Sequence, residues 1–115
     1  MNLTELIDRY CAAWNAAEPA ERARLLAEVL SAEGSYTDPM VHAANPAALL
    51  AHIAAVREKR PGAQVLRVGE VQAHHHVARF AWEATQAGTV LRRGIDIVTL
   101  DAQGAKLTSI IGFFD

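Results

Sequence analysis

The sequence predicts an α+β fold in which three N-terminal helices pack on a curved antiparallel sheet of four long strands and one short one. Three observations carry this prediction. Apolar residues recur at helical spacing through the first half of the chain. The second half consists of long strand-forming runs separated by short turn signals, which implies hairpins. Glycines fall inside those runs, where they suit bulges or bends in a sheet that is not flat.

The first helix is marked by Leu3, Leu6, Ile7, Tyr10, Cys11 and Trp14, with Asn2 and Glu5 placed as a cap and its reciprocal acid. Pro19 suits the first position of a second helix, which would bury Ala23, Leu26, Ala27 and Leu30 and end across Ser31 to Gly34. Ser35-Tyr36-Thr37 reads as a short strand stopped by Asp38-Pro39, because proline lacks a donor and forces Asp38 into extended geometry. Asn45-Pro46 opens a third helix carrying Leu49, Leu50, Ile53 and Val56, and Pro61-Gly62 ends it. Four strands then follow near 63–73, 77–87, 90–101 and 105–114. They are separated by His74-His75-His76, Ala87-Gly88 and Asp101-Ala102-Gln103-Gly104.

Strand parity places Arg92, Gly94, Asp96, Val98 and Leu100 on one face of the third long run, and Leu91, Arg93, Ile95, Ile97 and Thr99 on the other. Both faces are apolar at the centre. The helices can cover only one of them, so the other is either an ordinary exposed sheet face with a few apolar residues or, most simply, is covered by a second copy of the chain, a homodimer through the outer sheet face.

The length of 115 residues suits a single domain over 1–115, and 51% apolar with 21% charged residues is a globular balance rather than a disordered one. Eleven Lys and Arg stand against thirteen Asp and Glu, with no basic run to track a phosphate backbone, so nucleic acid is not expected as a partner. The single cysteine, Cys11, has no internal disulfide partner, and no Cys/His spacing matches a metal site. No metal and no cofactor are expected. Met-Asn-Leu-Thr-Glu lacks the blocks of a signal peptide, and no apolar stretch is long enough for a bilayer; the expected setting is cytoplasmic, with no membrane partner.

Three residues are candidates for chemistry. Asp96 lies mid-strand between Ile95 and Ile97, where a buried carboxylate is costly. Either a structural hydrogen bond offsets that cost, or a pocket makes use of a raised pKa. Asp38, before a proline at a strand end, is a turn-forming aspartate or a base at a pocket mouth. Tyr10 on the apolar stripe is a core residue or a hydroxyl donor into a cavity. Trp14, one turn on, is core or pocket wall. His42 and His52 reach a cavity or cap one, whereas the 74–76 histidines form a solvated turn. Arg92 shares the face of Asp96 and is either an exposed surface arginine or the edge of a pocket, where it would favour an anionic ligand.

Several strings together resemble the nuclear transport factor 2-like (NTF2-like) superfamily, in its SnoaL-like and ketosteroid-isomerase-like branches. They are Arg9-Tyr10 with Trp14-Asn15, Tyr36-Thr37-Asp38-Pro39, Gly94 through Asp101 leading to Gly104, and the closing Gly112-Phe113-Phe114. The resemblance covers essentially the whole chain and implies a cone, a bent sheet wrapped over three helices around a deep apolar cavity. It further implies a catalytic set of Asp38 as base with Tyr10 and a protonated Asp96 stabilising an enolate oxygen. The residues expected to contact substrate are Trp14, His42, His52, Phe80, Trp82, Arg92, Ile110 and Phe114. Two departures from the isomerase pattern stand out. Met40-Val41-His42 replaces a short glycine turn, and Trp82 beside Phe80 takes the place of a wall valine, narrowing the cavity against a fused steroid. The implied function is an acid–base isomerase or cyclase acting on a small apolar or carbonyl-containing ligand. A non-catalytic ligand-binding domain and a protein-interaction domain of the same fold are the alternatives.

Overall fold

Asn2 opens the first helix, α1 (Leu3–Asn15), as a reciprocal cap: its carbonyl accepts from the Glu5 backbone N–H at 2.9 Å, and its amide donates to the Glu5 carboxylate at 2.8 Å. The computed structural model describes residues 1–115. Pro19 occupies the first turn of α2 (Pro19–Val29). The link between these helices is closed by Arg22, whose buried guanidinium donates to the carbonyls of Ala16 and Ala17. Asn45 caps α3 (Pro46–Lys59) by accepting from the Ala48 N–H at 2.9 Å.

Six strands follow the helices or run between them: β1 (Leu30–Asp38), β2 (Val41–Ala43), β3 (Gln64–His74), β4 (Val77–Gln86), β5 (Thr89–Leu100) and β6 (Leu107–Phe114). They form one sheet in the order β2-β1-β6-β5-β4-β3. The α+β class, with three helices against a curved sheet, is as the sequence predicts. Two details differ. The sheet is mixed rather than wholly antiparallel, because β1 runs parallel to β6. The first strand is also longer than expected, since Leu30 leaves helical geometry (φ −107°, ψ 132°) and pairs with Leu107. Leu30 keeps the buried position that its spacing from Leu26 suggests, but it does so from an extended backbone.

The extra short strand, β2, occupies what reads in sequence as a loop. Asp38 creates it. One carboxylate oxygen accepts from the backbone N–H groups of both Met40 (2.7 Å) and Val41 (3.0 Å), reversing the chain so that Val41–Ala43 pairs back on Tyr36–Asp38. Two later hairpins turn through left-handed pairs, His75 and His76 (φ 47° and 64°) and Ala87 and Gly88 (φ 50° and 81°), the geometry that suits the twist of paired strands.

Gly94 and Gly112 are not bulges, contrary to the reading of their positions in sequence. The register shifts lie elsewhere: in β1 after Leu30, in β3 around the left-handed Gly69, near Ala84/Thr85, and near Thr99/Leu100. These two glycines instead make room. A Cβ on Gly94 would meet the Phe113 carbonyl and the Trp82 ring, both at 2.4 Å. On Gly112 it would come within 2.9 Å of an Asp96 carboxylate oxygen.

The helices cover the concave face and are tied to its open end. The Asn15 amide pairs both ways with the backbone of Val65 (2.6 and 2.9 Å), Asp8 accepts two bonds from Arg67, and Arg57 donates to the Trp14 carbonyl. The other face bears no helix. There, register aligns Phe113, Ile95, Ala81 and Val68 in one row across four strands, with Phe113 55% and Val68 42% exposed. No helix is long and apolar enough to cross a membrane.

Candidate functional site

Register on the concave face builds the site in rows. Ala78, Val98 and Ile110 align at the floor; Phe80, Asp96 and Gly112 form the middle row; Trp82, Gly94 and Phe114 form the row nearer the open end. β1 runs on the far side of β6, and Gly112 lies between its Asp38 and the Asp96 of β5, so the two carboxylates flank a residue with no side chain. Tyr10 enters from α1. The trio is closed off from solvent: Tyr10 is 2% exposed, Asp96 5%, and the Asp38 side chain 5%.

Each member is held differently. The Tyr10 hydroxyl accepts from the Trp14 indole N–H at 2.9 Å, and burial, with the Asp96 charge second, holds its pKa well above the usual tyrosine value. Asp96 accepts one bond, from the Trp82 indole N–H at 2.9 Å. Burial pushes its pKa up to about 7; the Trp82 bond opposes the rise and the Asp38 charge adds to it. Asp38 accepts three bonds, two from the turn backbone and one at 2.6 Å from the Tyr36 hydroxyl. His52 of α3 brings its Nε2 to 3.8 Å from the same Asp38 oxygen that Tyr36 contacts. Trp14, Tyr36 and His52 form an aromatic triangle with ring centroids 5.8 to 5.9 Å apart. Cys11, next to Tyr10, is buried with its thiol pushed up to about 12, which rules it out as a thiolate nucleophile near neutral pH.

No protein-family model matches the chain, and no curated protein matches it in sequence. Solved structures do. A candidate isomerase of the SnoaL-like family from Agrobacterium tumefaciens superposes with a TM-score of 0.90 at 27% identity, over 97% of this chain and 96% of its own. The chain has a SnoaL-like, NTF2-like fold. Two candidate polyketide cyclases share that fold at lower identity. The SnoaL-like one from Jannaschia sp. has a TM-score of 0.77 at 13% identity over 97% of this chain and 84% of its own. The other, from Sinorhizobium meliloti, has a TM-score of 0.72 at 10% identity over 94% and 93%.

Within this SnoaL-like fold, the remaining residues singled out in sequence fall into four groups. Trp14, His52 and Trp82 adjoin the trio through the contacts above. Phe80 and Ile110 are buried in the concave face, and Phe114 stacks edge-on against Trp82 at 6.0 Å. Arg92 lies at the open end, exposed, with its guanidinium 4.2 Å over the Phe114 ring. His42 lies apart from the others. It is exposed and bonded to Thr37 at 2.8 Å, and Thr37 and His42 pair on the face opposite Tyr36 and Asp38. Strand β2 sets this parity, and without β2 the residue has no face to be assigned to.

The concave face of the sheet is filled more than the resemblance implied, with Val98 and Ile110 at 0% exposure. A depression of about 510 Å³ lies elsewhere, lined by α2, the start of α3 and Lys106, and shares no residue with the trio. Two neighbours of the trio, Tyr36 and Gly112, were not assigned to the candidate site in the sequence. Tyr36 carried a signal, since residues two apart on a strand share a face with Asp38. Gly112 carried none, because its role depends on which strands flank it.

Proposed function

We propose that this chain is an acid–base enzyme that moves a proton next to the carbonyl of a small, largely apolar compound, as an isomerase or cyclase does. One observation carries the reading: both candidate donors are supported from behind by a tryptophan. Trp14 donates to the Tyr10 oxygen, which leaves the Tyr10 hydrogen free for a ligand. Trp82 donates to one oxygen of Asp96, which leaves the other for an acid proton. Asp38, on the other side of Gly112, takes the proton from carbon, and the enolate oxygen that develops is met by Tyr10 and protonated Asp96. Trp82 over Gly94, together with Phe80, favours a compact or flat ligand over a bulky one.

The experiment is a thermal-shift screen against ketosteroids, aromatic polyketides and small keto acids, followed by a pH–rate profile on a compound that is turned over. Because the donating form of Asp96 is lost as pH rises through about 7, kcat/KM is expected to fall on the alkaline side of that value. A profile flat across neutral pH would remove Asp96 from the mechanism.

The bare sheet face supports a homodimer, since the row from Phe113 to Val68 is too apolar to leave to water when a copy of itself can cover it. Phe113→Glu places a charge in that row and should shift the light-scattering mass from two chains to one. A wild-type chain that is already monomeric would overturn the dimer.

A further inference from the structure

We infer that His52 is the proton relay between solvent and Asp38. The inference rests on the acid–base reading above, and its starting point is the closure of the site. A base that takes a proton from carbon must return it to the product or exchange it with solvent, and Asp38, Asp96 and Tyr10 are all 2 to 5% exposed. His52 is different. Its side chain is 19% exposed while its Nε2 lies 3.8 Å from Asp38 Oδ2. It is the one titratable side chain that reaches both the solvent and the Asp38 carboxylate.

The surroundings of the ring fit that task. The two donors on Asp38 Oδ1 are backbone groups of the turn, so proton traffic is confined to Oδ2, which faces only Tyr36 and His52. Trp14 meets the His52 ring edge-on at 87°, and Tyr36 lies at 33° to it, so the ring is confined between α1 and β1 without being bonded in place. No hydrogen bond from the chain occupies either ring nitrogen, and Nε2 stands 3.8 Å from Asp38 Oδ2. The titratable and charged groups facing it are Asp38 and Tyr36 from β1, with Asp96 behind them. On its own helix Arg57 directs its guanidinium to the Trp14 and Ala63 carbonyls instead. From α1 the ring meets only the uncharged Trp14.

The transfer balances without any other reagent. The carbon-bound proton of the substrate passes to Asp38 Oδ2, leaving the enolate. Asp38 passes that proton to His52 Nε2, and the imidazolium releases one to water. The reverse sequence reprotonates Asp38.

The test needs no substrate, because the proton between Tyr36 and Asp38 reports on traffic at the same oxygen. Its exchange with water is measured by saturation-transfer NMR on the full chain. His52→Phe keeps an aromatic ring in the triangle but removes both nitrogens, and should slow this exchange about tenfold or more, relay groups being worth ~10²–10⁴ in proton transfer. His52→Ala should slow it too, and added free imidazole should restore it. Exchange at the wild-type rate in His52→Phe overturns the relay; should that variant fail to fold, the absence of any imidazole effect on His52→Ala overturns it equally. The relay and the base assignment separate cleanly. Slowed exchange with turnover intact in Asp38→Asn keeps the relay and removes Asp38 as base. Normal exchange with turnover lost in Asp38→Asn does the reverse.

Discussion

Asp96→Asn is expected to raise the thermal midpoint on the order of 10 °C at about pH 8 and to leave it almost unchanged near about pH 4. The carboxyl of Asp96 is held up from its ordinary 3.8 to about 7, chiefly by burial. Between those two values the unfolded chain has released a proton that the folded chain keeps, so stability falls as pH climbs. Below about pH 4 both states are protonated and the penalty vanishes. Above the folded value both are ionised and the whole penalty of about 4 kcal/mol stands. Asparagine cannot ionise, yet its carbonyl oxygen still accepts the Trp82 N–H. Thermal melts of both proteins across that range measure the effect; parallel curves would mean that Asp96 is not held neutral by the fold.

Asp38→Asn is expected to lower turnover by about 10²–10⁴-fold while the fold stands. The substitution removes the basic oxygen but keeps the anchor of the turn, because the asparagine carbonyl still accepts from the Met40 and Val41 N–H groups. Tyr36, which donates to the carboxylate at 2.6 Å, can rotate its hydroxyl to accept from the new amide. Asp38→Ala would strip out the turn as well and confuse the two roles. The measurement is kcat on a ketone from the ligand screen, with a thermal melt of the same variant as the control. Undiminished turnover in a folded Asp38→Asn would remove Asp38 as base.

Most of this architecture was legible because local rules and tertiary structure agree. Asn2 and Asn45 announce their helices by cap chemistry, and both make the predicted bonds. The burial of Asp96 follows from strand parity, which sets it on one face with Gly94 and Val98 and needs no knowledge of the other strands. What failed to appear in the sequence depends on pairing. The indole bond from Trp82 to Asp96 exists because β4 and β5 are in a register that puts Trp82 opposite Gly94, and no local pattern encodes that register. Leu30 shows the limit of periodicity: its spacing from Leu26 predicts burial, which it has, but cannot tell helix from strand at an element boundary. Pairing of β1 with β6 is likewise a choice between distant segments, and it brings Asp38 beside Gly112.

The two tryptophans of the chain carry a practical consequence. Each places its indole N–H on an oxygen of one candidate donor, Trp14 on Tyr10 and Trp82 on Asp96. Indole emission responds to charge beside the ring, so the chain contains an unlabelled optical reporter at each donor. Trp14→Phe leaves Trp82 as the sole indole, and its emission across neutral pH, excited at long wavelength to avoid the tyrosines, then follows the ionisation of Asp96. On the proposed reading the same cuvette would read ligand occupancy, since a carbonyl oxygen drawn in between Tyr10 and Asp96 would perturb the emission before any product is formed.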